Sequence, residues 1–412
     1  MGVAVCRLEG AGIPVLLRQH AAHPVVALRL YLRGGSASIG PEAAGADLLR
    51  ARAARRGTER FPKETLNAEL ARLGTEIGCR TDEDLTVFHL RCLRMHFEPS
   101  WEIFADLVLR PLLQPEELEV VRRQMLLGIR QRQDDPDGHL GDLARELVYT
   151  GHPYAPHPEG TEASVGALDA AALRGHFRGR LLRARMLLVV VGDVEESTLV
   201  SRSHAAFAAL PAGDGPLPSP AALRFAGSRL RVAARELPTH YILGQFAAPS
   251  LADAAHPAAL LTLSVLRDRL FEEVRTKRNL SYAPGAGLGS LAANLGWIYV
   301  TAVEPVRTLA VMLDEMRRLR DEPLEAKELH DKVQVYVTRY HLQNETNQAQ
   351  AGFLARYELL GGGWEKSEQF VSRLEALTPA DVQEAARSMF RHIQYTYLGD
   401  PALAVASAFV DP

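Results

Sequence analysis

The chain has 412 residues, of which 47% are hydrophobic and 24% charged, a composition typical of a globular protein and not of a disordered or fibrous one. The formal net charge of −3 argues against broad electrostatic binding to nucleic acid or to an anionic membrane. Three cysteines are too few and too scattered for a disulfide framework or a cysteine-based zinc site. No apolar run approaches the roughly 20 residues that span a bilayer, and the first residues do not resemble a signal peptide. We therefore expect a cytoplasmic protein without a membrane span.

Hydrophobic periodicity predicts the elements of the first half. A β-branched, alternating stretch at 24–33 predicts a strand that ends at a Gly-Gly turn. The segments that follow predict two helices (41–56 and 63–73), two strands (75–80 and 84–92), a long helix (115–132), and a closing helix and strand (171–193) that end in Gly192-Asp193.

The second half predicts elements in a similar order. They are a strand (240–247), a helix (257–277), two strands within 288–303, a long helix (324–340), and a closing helix and strand (380–400) that end in Gly399-Asp400. Matches in the same order along both halves indicate an internal repeat, and a repeat determines the architecture.

The fold class follows from this repeat. We expect an α+β protein of two similar domains, 1–210 and 225–412, joined by a linker at 211–224 whose first part, PAGDGPLPSP, is rich in Pro and Gly. Strands and helices do not alternate one by one, so each sheet is expected to be mostly antiparallel with helices packed on one face.

Several stretches, taken together and in order, resemble the pitrilysin/insulinase family of zinc metallopeptidases, in the short two-domain form to which mitochondrial processing peptidase is similar. The resemblance covers nearly the whole chain. The segments that carry it are Gly45 to Gly57-Thr58, RQDDP (132–136), GHPY (151–154), Gly160-Thr161, VVVGDV (189–194) and RTKRNLSY (275–282).

The resemblance implies a zinc site that this sequence has lost. Active members carry His-x-x-Glu-His on the first long helix, in which two imidazoles one turn apart bind Zn²⁺ and the Glu activates the bound water. Alignment on Gly45 and Gly57-Thr58 places these three positions at Leu48, Ala51 and Arg52. The third ligand, a later Glu, falls near Gly128. None of the four residues can bind a metal, so we expect no zinc on this chain and no catalytic residue in its own zinc site.

Other residues give weak alternatives. His20 with His23, and His152 with His157, are better interpreted as exposed loop histidines than as metal ligands. Five arginines on or just after the first long helix form either a cationic wall for acidic peptides or, as we favour, a solvated face. They are Arg50, Arg52, Arg55, Arg56 and Arg60.

The second-domain motif of the family, Arg-x₆-Tyr, is matched by Arg275 and Tyr282. The resemblance implies that both donate hydrogen bonds to substrate or to a developing oxyanion in the opposing half of the enzyme. Asn279 suits the left-handed residue that ends a helix, so a chain reversal is expected to bring Arg275 and Tyr282 together, with a strand from about Leu280. The glycines after Tyr282 either leave room for an approaching backbone or mark bulges. A glycine-rich substrate loop, known in some non-catalytic relatives, is absent at 264–271.

These observations favour a non-catalytic subunit of a heterodimeric zinc peptidase. A homologous catalytic subunit would carry the zinc, and the two chains would enclose an unfolded peptide to which this chain presents Arg275 and Tyr282 in trans. The alternatives are an inert structural scaffold and a stand-alone peptide binder or carrier that works as a homodimer. A pure scaffold has no need to retain both residues of the Arg/Tyr pair.

Overall fold

A computed structural model describes residues 5–215, 217 and 219–412, which contain eleven β-strands and fifteen α-helices. The strands are β1 (Val5–Gly10), β2 (Ile13–Gln19), β3 (Val25–Arg33), β4 (Glu76–Thr81), β5 (Leu85–Leu93), β6 (Met186–Gly192), β7 (Arg229–Ala234), β8 (His240–Ala247), β9 (Gly285–Leu288), β10 (Leu295–Ala302) and β11 (Gln394–Gly399). The helices are α1 (Ala46–Ala54), α2 (Lys63–Leu73), α3 (Phe97–Leu109), α4 (Pro115–Asp134), α5 (Pro136–Val148), α6 (Glu162–Ala167), α7 (Ala170–Arg178), α8 (Glu196–Phe207), α9 (His256–Leu270), α10 (Pro305–Asp321), α11 (Ala326–Gln343), α12 (Asn347–Leu360), α13 (Glu365–Glu368), α14 (Phe370–Glu375) and α15 (Pro379–Met389). None of these helices is both long and apolar enough to cross a lipid bilayer.

The first sheet has the strand order β1-β2-β6-β3-β5-β4, and all its pairs are antiparallel except β2 with β6. The apolar run of β6 is buried along its whole length, as expected of an interior strand covered on both faces. One face of the sheet packs through Leu30 and Phe88 against helices that include α3, whose Trp101 and Phe104 are also buried. Strand β4 forms an outer edge of the sheet.

The second sheet has the order β7-β11-β8-β10-β9, and here too a single pair, β7 with β11, is parallel. Its connections repeat those of β2-β6-β3-β5-β4, which confirms the predicted α+β class with two similar, mostly antiparallel sheets. Burial alternates along β8, with Ile242 and Phe246 in the core. On the opposite face, α5 packs through Leu140 and Leu143 against Leu398, so this sheet is contacted by helices on both faces.

Contacts divide the chain into two compact units that are discontinuous in sequence. The first unit consists of Met1–Arg130, Pro153–Pro218 and Gln343–Arg356, and the second of Gln131–His152, Ser219–Leu342 and Tyr357–Pro412. Each half of the sequence thus contributes one segment to the unit formed mainly by the other half. The boundaries 1–210, 211–224 and 225–412 stay a prediction, and Pro216 and Pro218 of that linker lie outside the described residues.

Candidate functional site

The start of α1 is fixed by a close approach of two backbone segments. Gly45 precedes the helix with a φ of 87°, and a Cβ atom there would lie 2.7 Å from the carbonyl oxygen of Glu159. Gly160 has a φ of 80°, and its Cβ would lie 2.5 Å from the carbonyl oxygen of Ala44. Both glycines are needed for this contact because a side chain would be strained and would clash. Two of the family markers therefore have structural roles.

A buried polar network holds α1 in place. The Asp47 carboxylate accepts hydrogen bonds from Thr86 Oγ1 at 2.6 Å and His176 Nε2 at 2.8 Å, and it pairs with Arg180 Nη2 at 2.9 Å. Burial raises the pKa of Asp47, but the hydrogen bonds and the Arg180 charge outweigh burial and hold the pKa below its ordinary value. The network connects α1 to β5, α7 and the turn after α7. Sequence analysis missed it because partners so distant in the chain leave no local pattern.

The four aligned zinc positions do not fit a metal. Leu48 and Ala51 are buried at 8% and 5% exposure, whereas Arg52 and Gly128 are exposed. Leu48 belongs to an apolar cluster with Met125 and Ile129 of α4, so hydrophobic packing connects the two helices. Alkyl groups and a permanent cation cannot bind Zn²⁺. Across the described residues, no group of three or more His, Cys, Asp or Glu side chains is placed to hold a metal ion.

The arginines around α1 do not form one solvated face, so that prediction is wrong for Arg50. Its side chain is buried, donates to the Val108 carbonyl oxygen at 2.6 Å and stacks on Phe177 at 3.8 Å. Burial lowers the pKa of the Arg50 guanidinium to about 10. Arg60 pairs with Glu102 at 2.6 Å. Arg52 and Arg55 are exposed, as predicted.

One histidine of each pair is hydrogen-bonded to a residue distant in the sequence. The rings of His20 and His23 meet edge to face with centroids 5.6 Å apart, and His20 Nδ1 lies 2.7 Å from Asn347 Oδ1. His152 Nε2 lies 2.9 Å from the carbonyl oxygen of Ala221. These contacts fix the loops that carry the histidines.

Helix α9 continues into a π-helical turn over Phe271–Thr276 that places Arg275. Asn279 has a φ of 51°, which confirms the predicted left-handed residue, and the Leu280 amide donates to the Val274 carbonyl oxygen at 2.9 Å. The following strand begins at Gly285 and not near Leu280, because the chain first completes this reversal. Single π-helical turns within α-helices are frequent at functional sites.

The reversal brings Arg275 and Tyr282 together, with a third residue that sequence analysis missed. Arg275 Cζ lies 3.9 Å from the ring centroid of Tyr282 and 4.7 Å from that of Phe271. Tyr282 is 78% exposed and Phe271 47%. Among the described residues, neither the Arg275 guanidinium nor the Tyr282 hydroxyl has a hydrogen-bond partner, and Arg275 has no carboxylate partner. Phe271 lies four residues before Arg275, one helical turn away, and this spacing was the available signal.

The glycines after Tyr282 have a role that neither proposed alternative included. Gly287 pairs with Trp297 across β9 and β10, and a Cβ at Gly287 would lie 2.5 Å from Trp297 Cζ2. A Cβ at Gly285 would lie 3.2 Å from Trp297 Cζ3. The two glycines therefore leave room for an indole of the same sheet, which covers the bare backbone of this edge strand.

Comparison with known proteins matches this geometry to one class. The model for insulinase, peptidase family M16, matches residues 14–162, and the model for the peptidase M16 inactive domain matches residues 167–336. These two matches place the chain in the class of proteins related to zinc peptidases. The chain belongs to the pitrilysin/insulinase family.

Curated relatives share this family. The chain is 25% identical to an uncharacterized zinc protease of Streptomyces coelicolor, over 76% of this chain and 71% of the relative. It is 21% identical to an uncharacterized zinc protease of Bacillus subtilis, over 92% of this chain and 94% of the relative. A shorter match, 29% identical, covers 30% of this chain and 23% of the α subunit of mitochondrial processing peptidase from Bos taurus.

Solved structures share the fold. A peptidase M16 inactive domain from Pseudomonas fluorescens superposes with a TM-score of 0.88 at 22% identity, and a protease from Helicobacter pylori with 0.87 at 16%. Both alignments cover 96% of this chain and 98% of the other. The match to the inactive-domain model, together with four zinc positions that cannot bind metal, supports a non-catalytic member of the family.

Proposed function

We propose that this chain is the non-catalytic subunit of a heterodimeric zinc peptidase. Its partner is a homologous chain that carries the zinc and hydrolyses the peptide bond, while this chain helps to enclose an unfolded peptide. The match to the inactive-domain model and the shorter match to the α subunit of mitochondrial processing peptidase support this assignment. We further propose a cytoplasmic location, because the three free cysteines suit a reducing compartment. In the absence of its partner, the chain forms a homodimer.

The exposed stack of Arg275 and Tyr282 carries the proposal. The neighbouring Arg278 pairs with a carboxylate, that of Glu273, at 2.5 Å. Arg275 instead keeps its N–H donors unused in the described chain, held flat by two rings. Such donors can bind the carbonyl oxygen of a peptide or the oxyanion that forms during hydrolysis in the partner. The stack also lies just before β9, which forms an edge of the second sheet where an extended peptide can add as a strand.

The test is reconstitution with a homologous chain that contains His-x-x-Glu-His. This chain alone should leave an unstructured peptide uncut, and the mixture should cleave it faster than the partner alone. Arg275→Ala should still assemble with the partner, as measured by sizing, but lower kcat/KM of the saturated complex. A complex that forms yet shows unchanged turnover with Arg275→Ala supports the scaffold alternative, and failure to form any complex contradicts the heterodimer.

A further inference from the structure

A cavity of about 790 Å³ lies between α1, α2 and the edge strand β4 in the first unit. Its polar lining includes Arg52 of α1, Arg55 just after α1, Asn67 of α2, Glu76 of β4 and His89 of β5. Arg52 occupies one of the aligned zinc-ligand positions. The cavity therefore lies where active relatives carry their metal-binding helix, but its walls have a different chemistry.

The charge inside this cavity is unbalanced. Arg52 lies in the last turn of α1 and Arg55 directly follows the helix with helical backbone angles, so the two arginines, three residues apart, share one side. Neither has a hydrogen-bond or ion-pair partner within the described part of the chain. Glu76 is the one acidic residue among the lining residues, and it is already paired with Arg91 at 2.5 Å. Two unpaired guanidinium groups are thus left in a concave site.

Several exposed helix arginines of the protein are instead paired with a carboxylate. Arg130 contacts Glu162 at 2.9 Å, and Arg123 contacts Glu119 at 3.4 Å. The positive charge of Arg55 also affects the pKa of His89, another residue that lines the cavity. Burial and then the charges of Arg29 and Arg55 lower the pKa of His89 below its ordinary value, against a smaller opposite effect of Glu76.

The third wall of the cavity, strand β4, is a sheet edge. Strand β4 pairs with β5 on one side and has no strand on its other side among the described residues. The ring of His89 lies over Gly78, where a Cβ would be 2.4 Å from His89 Cε1. The edge strand therefore has no room for a side chain at this position. An extended chain added to β4 would direct alternate side chains to one face.

We infer that this cavity binds the carboxylate of an Asp or Glu side chain in a peptide that extends along β4, with Arg52 and Arg55 as the donors. The inference rests on the proposed function in one respect, that the ligand is a peptide. It adds a preference for acidic residues, because a guanidinium is the side chain best suited to hold a carboxylate. The position that binds a cation in active relatives would here bind an anion.

The experiment compares two labelled nonapeptides that differ only by Glu or Gln at positions three, five and seven. Their Kd values for the purified full chain are measured by fluorescence anisotropy at low and high salt. The Glu peptide should bind about three- to tenfold tighter, as expected for two partly exposed ion pairs, and salt should reduce the difference. The double variant Arg52→Gln/Arg55→Gln should bind both peptides as wild type binds the Gln peptide.

Arg178→Gln is the matched control, since Arg178 is an exposed helix arginine that does not line the cavity. It should keep the wild-type preference, and melting curves should show that all variants fold. A wild-type chain that binds both peptides equally overturns the inference and leaves the proposed function standing. A preference that survives in the double variant also overturns it. Binding of neither peptide contradicts both the inference and peptide binding by this subunit.

Discussion

The guanidinium carbon of Arg275 lies 3.9 Å above the ring of Tyr282, so the two side chains form one stacked unit. Tyr282→Phe keeps the ring and removes only the hydroxyl. We predict that this variant lowers kcat/KM of the reconstituted complex, by at most the roughly 10²–10³-fold that loss of one oxyanion donor costs. The melting temperature of the free subunit should not change, because the hydroxyl has no partner among the described residues. A shifted melting temperature with unchanged turnover would show that the tyrosine is structural.

Phe271 is expected to position Arg275, because its ring centroid lies 4.7 Å from the guanidinium carbon. An exposed cation–π contact contributes about 0.5–1 kcal/mol, so Phe271→Ala should lower kcat/KM of the complex about two- to fivefold. Because Phe271 would act through Arg275, the variant should have no further effect in an Arg275→Ala background. Val303→Ala, at a residue that is 65% exposed in the same unit, is the control. Additive losses would contradict a positioning role.

We predict that the purified chain binds no stoichiometric zinc and has no peptidase activity of its own. Leu48, Ala51, Arg52 and Gly128 offer no ligand and no general base. Metal analysis after dialysis, together with a peptide cleavage assay, provides the measurement. About one zinc per chain, together with chelator-sensitive cleavage, would contradict this prediction.

The packing of Leu48 predicts that the stability of the protein depends on the contact between α1 and α4. Leu48→Ala should lower the free energy of unfolding by about 2–3 kcal/mol, because it opens a cavity in the cluster that joins α1 to α4. Leu127→Ala is the matched control, since Leu127 lies on α4 but is 56% exposed and should change stability little. Denaturant titrations of both variants give the comparison. Equal effects would show that this cluster does not stabilise the first unit.

The carboxyl of Asp82 is expected to make the free energy of unfolding depend on pH. Burial raises the pKa of its carboxyl from 3.8 to about 6, although a hydrogen bond from the Leu85 amide opposes this. The folded state therefore retains a proton that the unfolded state has lost between these values, so the group reduces stability as pH rises from about 4 to 6. Asp82→Asn removes this cost and should gain stability relative to wild type above pH 6, by up to about 3 kcal/mol.

The gain from Asp82→Asn should shrink as pH falls below 6 and disappear below about pH 3, where the carboxyl is neutral in both the folded and the unfolded state. Asn keeps an oxygen that can accept from the amides of Asp84 and Leu85, now at 2.9 and 2.8 Å. Asp214→Asn, at an exposed position, serves as the control and should show no such profile. A gain that does not vary with pH would rule out titration of Asp82 as its cause.

The sequence predicts those features of the fold that depend on neighbouring residues in the chain. Strand β8, with its alternating pattern, and helix α2 begin and end at the predicted residues, and Asn279 takes the predicted left-handed conformation. The sequence does not predict contacts between segments that are distant in the chain. No pattern around Arg50 indicates that Phe177 will stack on it, and no local signal assigns α5 to the second sheet. Trp297 likewise explains Gly287 only once the strand register is known.

The exchange of segments between the two units has a consequence for how this chain can be divided. A fragment that starts at Ser219 lacks Gln131–His152, and with it the helix whose leucines cover Leu398 and the neighbouring apolar residues of the second sheet. Exposed apolar surface on a sheet favours aggregation. The complementary fragment lacks Asn347, which donates to the Val25 carbonyl oxygen at 2.7 Å. The repeat is therefore a pair in sequence but not a pair of independent folding modules, and neither half is expected to be soluble when expressed without the other.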